Sequence, residues 1–151
     1  GHSTPLADAA RQMAADLHTT AHRRQQRIVL HEPLAPSLQI PLPEALARVL
    51  LRNLLDNALR YSPSGAEVHL HITAAGNDSE HGCLVVEDSG PGLTPQEQAR
   101  LGERFFRVLG TGQSGSGLGW SIVQRIARLH HLTVNTGTSP TLGGLRVEVG
   151  W

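Results

Sequence analysis

Gly115-Ser-Gly-Leu-Gly119 runs without a break into Trp120-Ser-Ile-Val123, and this join constrains the chain more than any other stretch. Three glycines at alternate positions take every Cβ away from one side of the backbone. The N–H groups exposed there can close around an anion at the start of a helix, and a phosphate is the obvious guest. A glycine loop also serves as a plain turn, so the segments that precede it decide between the two readings.

Composition removes several classes of partner. All 13 basic residues are arginine and no lysine occurs anywhere, which excludes a Walker A loop and a eukaryotic-type protein kinase, both of which place a lysine on the nucleotide phosphates. The formal net charge is zero and the arginines are scattered. Nucleic-acid affinity comes largely from phosphate neutralisation, so neither DNA nor RNA is expected as the main partner. The 151 residues, 39% of them hydrophobic, fit one soluble globular domain with a real core. A lone cysteine, Cys83, sits in an apolar run and reads as a buried, reduced thiol. No segment reaches the roughly 20 apolar residues of a membrane helix, and the start has no signal-peptide hydrophobic region. Gly1-His-Ser3 reads as a cloning remnant, with one domain over residues 4–151 that is a piece of something larger.

In chain order, Thr4 can cap a helix that has Pro5 at its first position and Leu6, Ala10, Met13 and Leu17 at helical spacing, ending near Arg23 to Gln26. Ile28 to Leu30 predicts a short strand, and Leu38, Ile40 and Leu42 alternate across a second, punctuated by prolines. Glu44 to Tyr61 is the strongest helix, with Leu51, Leu54, Leu55 and Ala58 on one face. Asn53 and Asn57 lie four apart between its faces and share a stripe with Arg60. Asparagine is a poor helix former, so the pair needs a reason. Either the two hydrogen-bond a neighbouring loop, or one amide oxygen takes a hard cation such as Mg2+ while the other orders the site.

Ser62-Pro-Ser-Gly65 breaks that helix. Glu67 to Thr73 then alternates, with Val68, Leu70 and Ile72 on one face and His69 and His71 on the other. The histidine pair lacks a nearby third ligand and reads as exposed strand residues ahead of a metal site. Cys83 to Asp88 predicts the hairpin partner strand. Asp88 at its end, beside Gly90 and Gly92, either accepts a hydrogen bond from an amine inside a pocket or is an ordinary turn aspartate. Thr94-Pro-Gln-Glu97 is a capping box for a short helix. Phe105 and Phe106 follow, at least one of them a core anchor, and Leu109 to Ser116 is glycine-rich without apolar periodicity. The last helix buries Ile122, Val123, Ile126 and Leu129. Leu132 to Thr136 and Leu145 to Trp151 close the chain as strands, with Gly143-Gly144 before the second.

Taken in order, Asn53-Leu-Leu-Asp-Asn57-Ala-Leu-Arg-Tyr61 resembles the N box of sensor histidine kinases. Asp88-Ser-Gly-Pro-Gly92 resembles their G1 box, Glu103-Arg-Phe-Phe-Arg107 the F box and Gly115-Ser-Gly-Leu-Gly119 the G2 box. Each motif is weak alone, and four in the right order are not. The likeness covers about Pro5 to Trp151. It is to the catalytic and ATP-binding domain of orthodox membrane sensors, in particular their quorum-sensing and polymyxin-responsive branch.

That resemblance implies the GHKL (Bergerat) fold, an α/β sandwich with a mixed sheet covered on one face by about three helices and a flexible ATP lid. The independent count of strands and longer helices is compatible with it. It further implies that Asn57 coordinates the Mg2+ bridging the ATP phosphates, with Asn53 beside it, Arg60 near the phosphates and Tyr61 near the nucleotide. Asp88 would accept the adenine amino group, and Gly90 and Gly92 would allow close approach. Leu109 to Ser116 would form the lid, with Gly115, Gly117, Leu118 and Gly119 at its phosphate-binding hinge. Arg107 would give an extra positive contact during transfer, since phosphoryl transfer asks mainly for positioning and charge neutralisation.

The expected activity is ATP-dependent protein-histidine phosphorylation. Nine histidines are present, but none carries the acceptor motif. His2-Ser-Thr-Pro-Leu6 lacks the usual glutamate after the histidine, so the acceptor is expected on a separate dimerisation domain of the same parent, for relay to a response regulator. This chain would then be a monomeric, cytoplasmic piece of a parent anchored in the bacterial inner membrane. Two other readings compete: a GHKL module that binds nucleotide and a protein partner without transferring phosphate, and an ATPase of the chaperone or mismatch-repair kind. The latter needs a water-activating glutamate on the asparagine helix, where Asn53 stands instead. One departure is Trp120, at a position where the family usually has leucine or a similar aliphatic residue. It reads first as natural variation and second as an engineered reporter, and a ring of that size in the first helical turn is expected to alter packing or crowd the lid.

Overall fold

The computed structural model describes residues 3–31, 34–76, 78–90, 95–96 and 118–151. Its first long element is helix α1 (Leu6–Arg23), which buries Leu6, Ala10, Met13, Leu17 and Ala21 along one stripe, the periodicity expected of an amphipathic helix. Its N-cap is Pro5, without a side-chain cap bond. Thr4, expected as the cap, is instead paired in a two-stranded ribbon of β1 (Thr4–Pro5) and β3 (Gln39–Ile40), and its hydroxyl donates to the Leu42 carbonyl at 2.8 Å. A long-range partner outcompetes the local cap here. The alternation over Leu38, Ile40 and Leu42 yields only those two strand residues. Pro41 has no N–H to continue a ladder, and the Leu42 N–H turns back to the Ile40 carbonyl at 2.8 Å.

Helix α2 (Glu44–Arg60) buries Ala47, Leu50, Leu51, Leu54, Leu55, Ala58 and Leu59. The junction with α1 is fixed by Gln26, 5% exposed, whose Nε2 donates to the carbonyls of Leu59 and Ser62 at 2.9 and 3.0 Å. The remaining elements are β2 (Arg27–Leu30), β4 (Glu67–Ala74), β5 (Gly82–Asp88), α3 (Leu118–Leu129), β6 (Thr133–Thr138) and β7 (Leu145–Gly150). The five longer strands form one mixed sheet in the order β2-β4-β5-β7-β6. β2 runs parallel to β4 and the other pairs are antiparallel.

Val68, Leu70, Ile72, Leu84, Val86, Val147 and Val149 point from the sheet into one core with the leucines of the helices. This is a two-layer α/β sandwich in which α1, α2 and α3 share one face of the sheet, with α2 packed between the other two. The alternate strand positions carry His69, His71, Thr73, Cys83 and Glu87 on the open face. Cys83 is therefore half-buried rather than buried, with burial pushing its thiol pKa up.

Pro95 and Gln96 are helical, where the capping box predicts a helix. Phe105, Phe106, Arg107, the stretch 109–116, Gly92, Gly115 and Gly117 lie outside the described residues. Among the described residues no helix is long and apolar enough to cross a membrane.

Candidate functional site

The site forms where the end of β5, the last two turns of α2 and the first turn of α3 meet. Asp88 closes β5 and is 2% exposed. Its Oδ1 accepts the Gly90 N–H at 3.0 Å and the Leu145 N–H at 3.2 Å, and the Ser62 side chain adds a further bond. Burial raises its pKa from the usual carboxylate range to about 6, against the lowering pull of those three hydrogen bonds.

Two features hold Asp88 that the sequence analysis did not assign. Gly144 donates its N–H to the Asp88 carbonyl at 3.1 Å, and a Cβ on Gly144 would fall on Asp88 Oδ1 and on the Asp88 carbonyl. Ser62 is fully buried and anchors to the Ala58 carbonyl at 2.7 Å, tying the carboxylate to the end of α2. The Gly143-Gly144 pair was the available signal. It read only as the approach to a strand, because nothing local ties it to a residue 56 positions earlier.

Across from Asp88, Asn57 carries a buried Nδ2 without a hydrogen-bond partner among the described residues. A buried donor left unpaired costs free energy. Asn53 differs, with its Nδ2 donating to the Val49 carbonyl one turn back at 2.7 Å. The first turn of α3 lies directly on this pair. A Cβ on Gly119 would stand 2.9 Å from Asn53 Oδ1 and 3.0 Å from Asn57 Oδ1, so any larger residue would have to displace the two amides.

Asn57, Ala58, Tyr61, Asp88, Leu145 and Trp120 line one partly open cavity of about 10 Å3. Burial pushes the Tyr61 pKa up, opposed by the Arg60 charge. Arg60 itself donates to Asp56 at 2.8 Å. The structure thus brings Asn57, Tyr61 and Asp88 together around one cavity, with Asn53, Gly90 and Gly119 in direct support, while Arg60 is engaged along its own helix. Leu118 opens α3, and its side chain lies outside the described residues.

A histidine cluster lies on the open face of the sheet. Parallel pairing of β2 with β4 brings His31 to the pair at 69 and 71. Its Nε2 is 2.6 Å from His69 Nδ1, and its ring stacks on His71 at 3.9 Å between centroids. Burial, with the neighbouring imidazoles, lowers the His31 pKa. His69 and His71 also face Glu67 and Glu87, at 3.0 and 3.3 Å. Among the described residues no group of three or more histidine, cysteine or carboxylate side chains is arranged to hold a metal ion, and His69 and His71 are half-buried rather than exposed.

Comparison with known proteins gives a consistent picture. The family described as histidine kinase-, DNA gyrase B- and HSP90-like ATPase matches residues 43–151. Sensor protein QseC of Escherichia coli K12 is 41% identical over 149 residues, 97% of this chain and 31% of the relative. Sensor protein kinase PmrB of Pseudomonas aeruginosa is 34% identical over 98% of this chain and 30% of its own length. The chain thus spans about a third of the curated relatives it matches. Among solved structures, a mycobacterial sensor histidine kinase, MprB, superposes with a TM-score of 0.79 at 26% identity, covering 99% of this chain and 95% of that one. The cytoplasmic segment of histidine kinase QseC superposes with a TM-score of 0.69 at 30% identity, covering 99% and 76%.

Proposed function

The chain belongs to the histidine kinase-, DNA gyrase B- and HSP90-like ATPase family, and from that premise we propose that it is the ATP-binding catalytic domain of a sensor histidine kinase. It transfers the γ-phosphoryl group of Mg-ATP to a histidine on a separate dimerisation domain of its parent, for relay to a response regulator. The parent is anchored in a membrane and this domain faces the cytoplasm. The observation that carries this reading is the buried Asp88 carboxylate, held from Ser62, Gly90 and Leu145, on the wall of a cavity it shares with the unpartnered Asn57 amide.

In this reading Asp88 accepts the adenine amino hydrogen, Gly90 and Gly92 let the backbone approach the base, and Tyr61 borders the nucleotide. The Asn57 carboxamide fits the phosphate end. Its Nδ2 donates to a phosphate oxygen as placed, and turned about Cβ–Cγ it offers the hard oxygen that Mg2+ takes. Asn53 stands beside it as support. Bound there, Mg2+ neutralises charge on the transferring phosphoryl group. Arg60 and Arg107 add positive charge, and the backbone of Gly115, Gly117, Leu118 and Gly119 closes on the triphosphate at the start of α3. The nucleophile is a neutral imidazole nitrogen of that partner domain, whose lone pair attacks the γ-phosphorus as ADP leaves.

The direct test mixes the chain with labelled Mg-ATP and the dimerisation domain of its own parent. Label should appear on that domain as an acid-labile, base-stable phosphoramidate. Saturating nucleotide without any transfer would contradict the kinase reading.

The Asp88 pKa gives a pH dependence with a fixed sign. Its folded-state value, about 6, lies above the ordinary 3.8, so the empty domain takes up a proton as pH falls through 6. The stability from the neutral form is complete below the unfolded value and lost as pH rises through about 6. Nucleotide binding runs the other way, because the ionised carboxylate is the acceptor. ATP affinity should fall about tenfold between neutral pH and pH 5, as read by calorimetry, and the fall should be absent in Asp88→Asn. A flat profile would remove Asp88 from the adenine contact.

A further inference from the structure

Trp120 is 3% exposed, and its indole Nε1 is buried without a hydrogen-bond partner among the described residues. It lines the same cavity as Asp88, Tyr61 and Asn57. Two buried donors without a partner among the described residues, Trp120 Nε1 and Asn57 Nδ2, therefore belong to side chains that line one small, largely apolar space together with Asp88 and Tyr61. Burying an N–H unpaired is costly, and an apolar side chain of similar size would avoid that cost. The ligand complementary to this wall presents one donor, to Asp88, and acceptors to the two N–H groups. An adenine nucleotide has that pattern: an exocyclic amine, and ring-nitrogen, ribose and phosphate acceptors. At about 10 Å3 the cavity has room for little more than one water, far below the 300 Å3 or more of a ligand pocket. Entry of a base therefore has to widen this space.

Resting on the reading of this cavity as a nucleotide site, we propose that Trp120 is an affinity-determining residue that contacts the nucleotide, its indole N–H donating to an acceptor on the adenosine half. The assignment to that half follows from the neighbours of Trp120 in the cavity, Ala58, Tyr61, Asp88 and Leu145. The contact is then shared by ATP and ADP and independent of the γ-phosphate.

The chain carries its own internal control. Its only other tryptophan, Trp151, already donates Nε1 to the Gln39 carbonyl at 2.9 Å. In the isotope-labelled chain two indole N–H resonances are expected, assigned by the loss of one in Trp120→Phe or of the other in Trp151→Phe. Saturation with Mg-ATP or Mg-ADP should move the Trp120 resonance downfield and leave that of Trp151 in place. Trp120→Phe keeps a ring and loses the N–H, and should bind both nucleotides about tenfold more weakly, the effect of one hydrogen bond.

If Trp120→Phe fails to fold, the resonance shift in the Trp151→Phe chain decides alone. ATP binding with an unmoved Trp120 resonance, or unchanged affinity in a folded Trp120→Phe, overturns the contact and leaves the nucleotide site standing. Absence of binding by the unsubstituted chain overturns both.

Discussion

Asn57→Ala is expected to lower phosphoryl transfer to the partner histidine by about 100-fold or more, the scale seen when a preorganised group at the developing charge is removed, while leaving the fold intact. The second half of that statement is the informative one. The Asn57 Nδ2 is buried and makes no hydrogen bond among the described residues, so truncation removes no bond of that donor and relieves its desolvation. Thermal unfolding should shift by no more than a few degrees in either direction, which separates loss of function from loss of structure. Asn53→Ala offers the contrast: its amide is bonded to Val49 within α2, and transfer should fall less. Transfer by Asn57→Ala at the parental rate would remove the residue from the reaction.

Gly144→Ala should have the largest effect on stability. The added Cβ would overlap both the Asp88 carboxylate and the Asp88 carbonyl, and neither can retreat. The carbonyl is backbone, and the carboxylate is held by Gly90 and Leu145. Overpacking without relief costs about 3 kcal/mol or more, equivalent to a fall in Tm of about 6–12 °C for a domain of this size. Nucleotide affinity should fall with it. Gly143→Ala is the control. Gly143 has φ +85° but nothing within 4 Å of a Cβ, so its cost is only the left-handed conformation, about 1 kcal/mol. Equal losses at the two positions would contradict the steric account of Asp88 placement.

These two positions also show what the sequence can carry. Asn57 was visible because helical periodicity places it, with Asn53, on a stripe beside the leucines, and because asparagine in a helix interior lacks a local reason. The helices α1 and α2 and the β4–β5 hairpin were legible on the same grounds, since their burial pattern repeats at short range. Gly144 was legible only as the approach to a strand, because its contact is with a strand end far away in sequence. Thr4 failed for the same reason, with a local cap losing to the Leu42 carbonyl and to pairing with β3. The parallel pairing of β2 with β4, which delivers His31 to His69 and His71, has no local signature either. The departure at Trp120 was plain in the sequence, whereas its burial against Asp88 and Tyr61, with an unpaired indole N–H, emerges only from the packing of α3 on α2.

The central claim is that the cavity between α2, α3 and β5 takes an adenine nucleotide through Asp88, and calorimetric titration of the chain with Mg-ATP and with Mg-GTP at neutral pH tests it most directly. One Mg-ATP per chain should bind saturably. Mg-GTP, which places a carbonyl acceptor where adenine has its amino donor, should bind about 100-fold more weakly or not at all, because the buried carboxylate would be left facing an acceptor. Equal affinity for the two nucleotides, or no binding of either, would contradict the account.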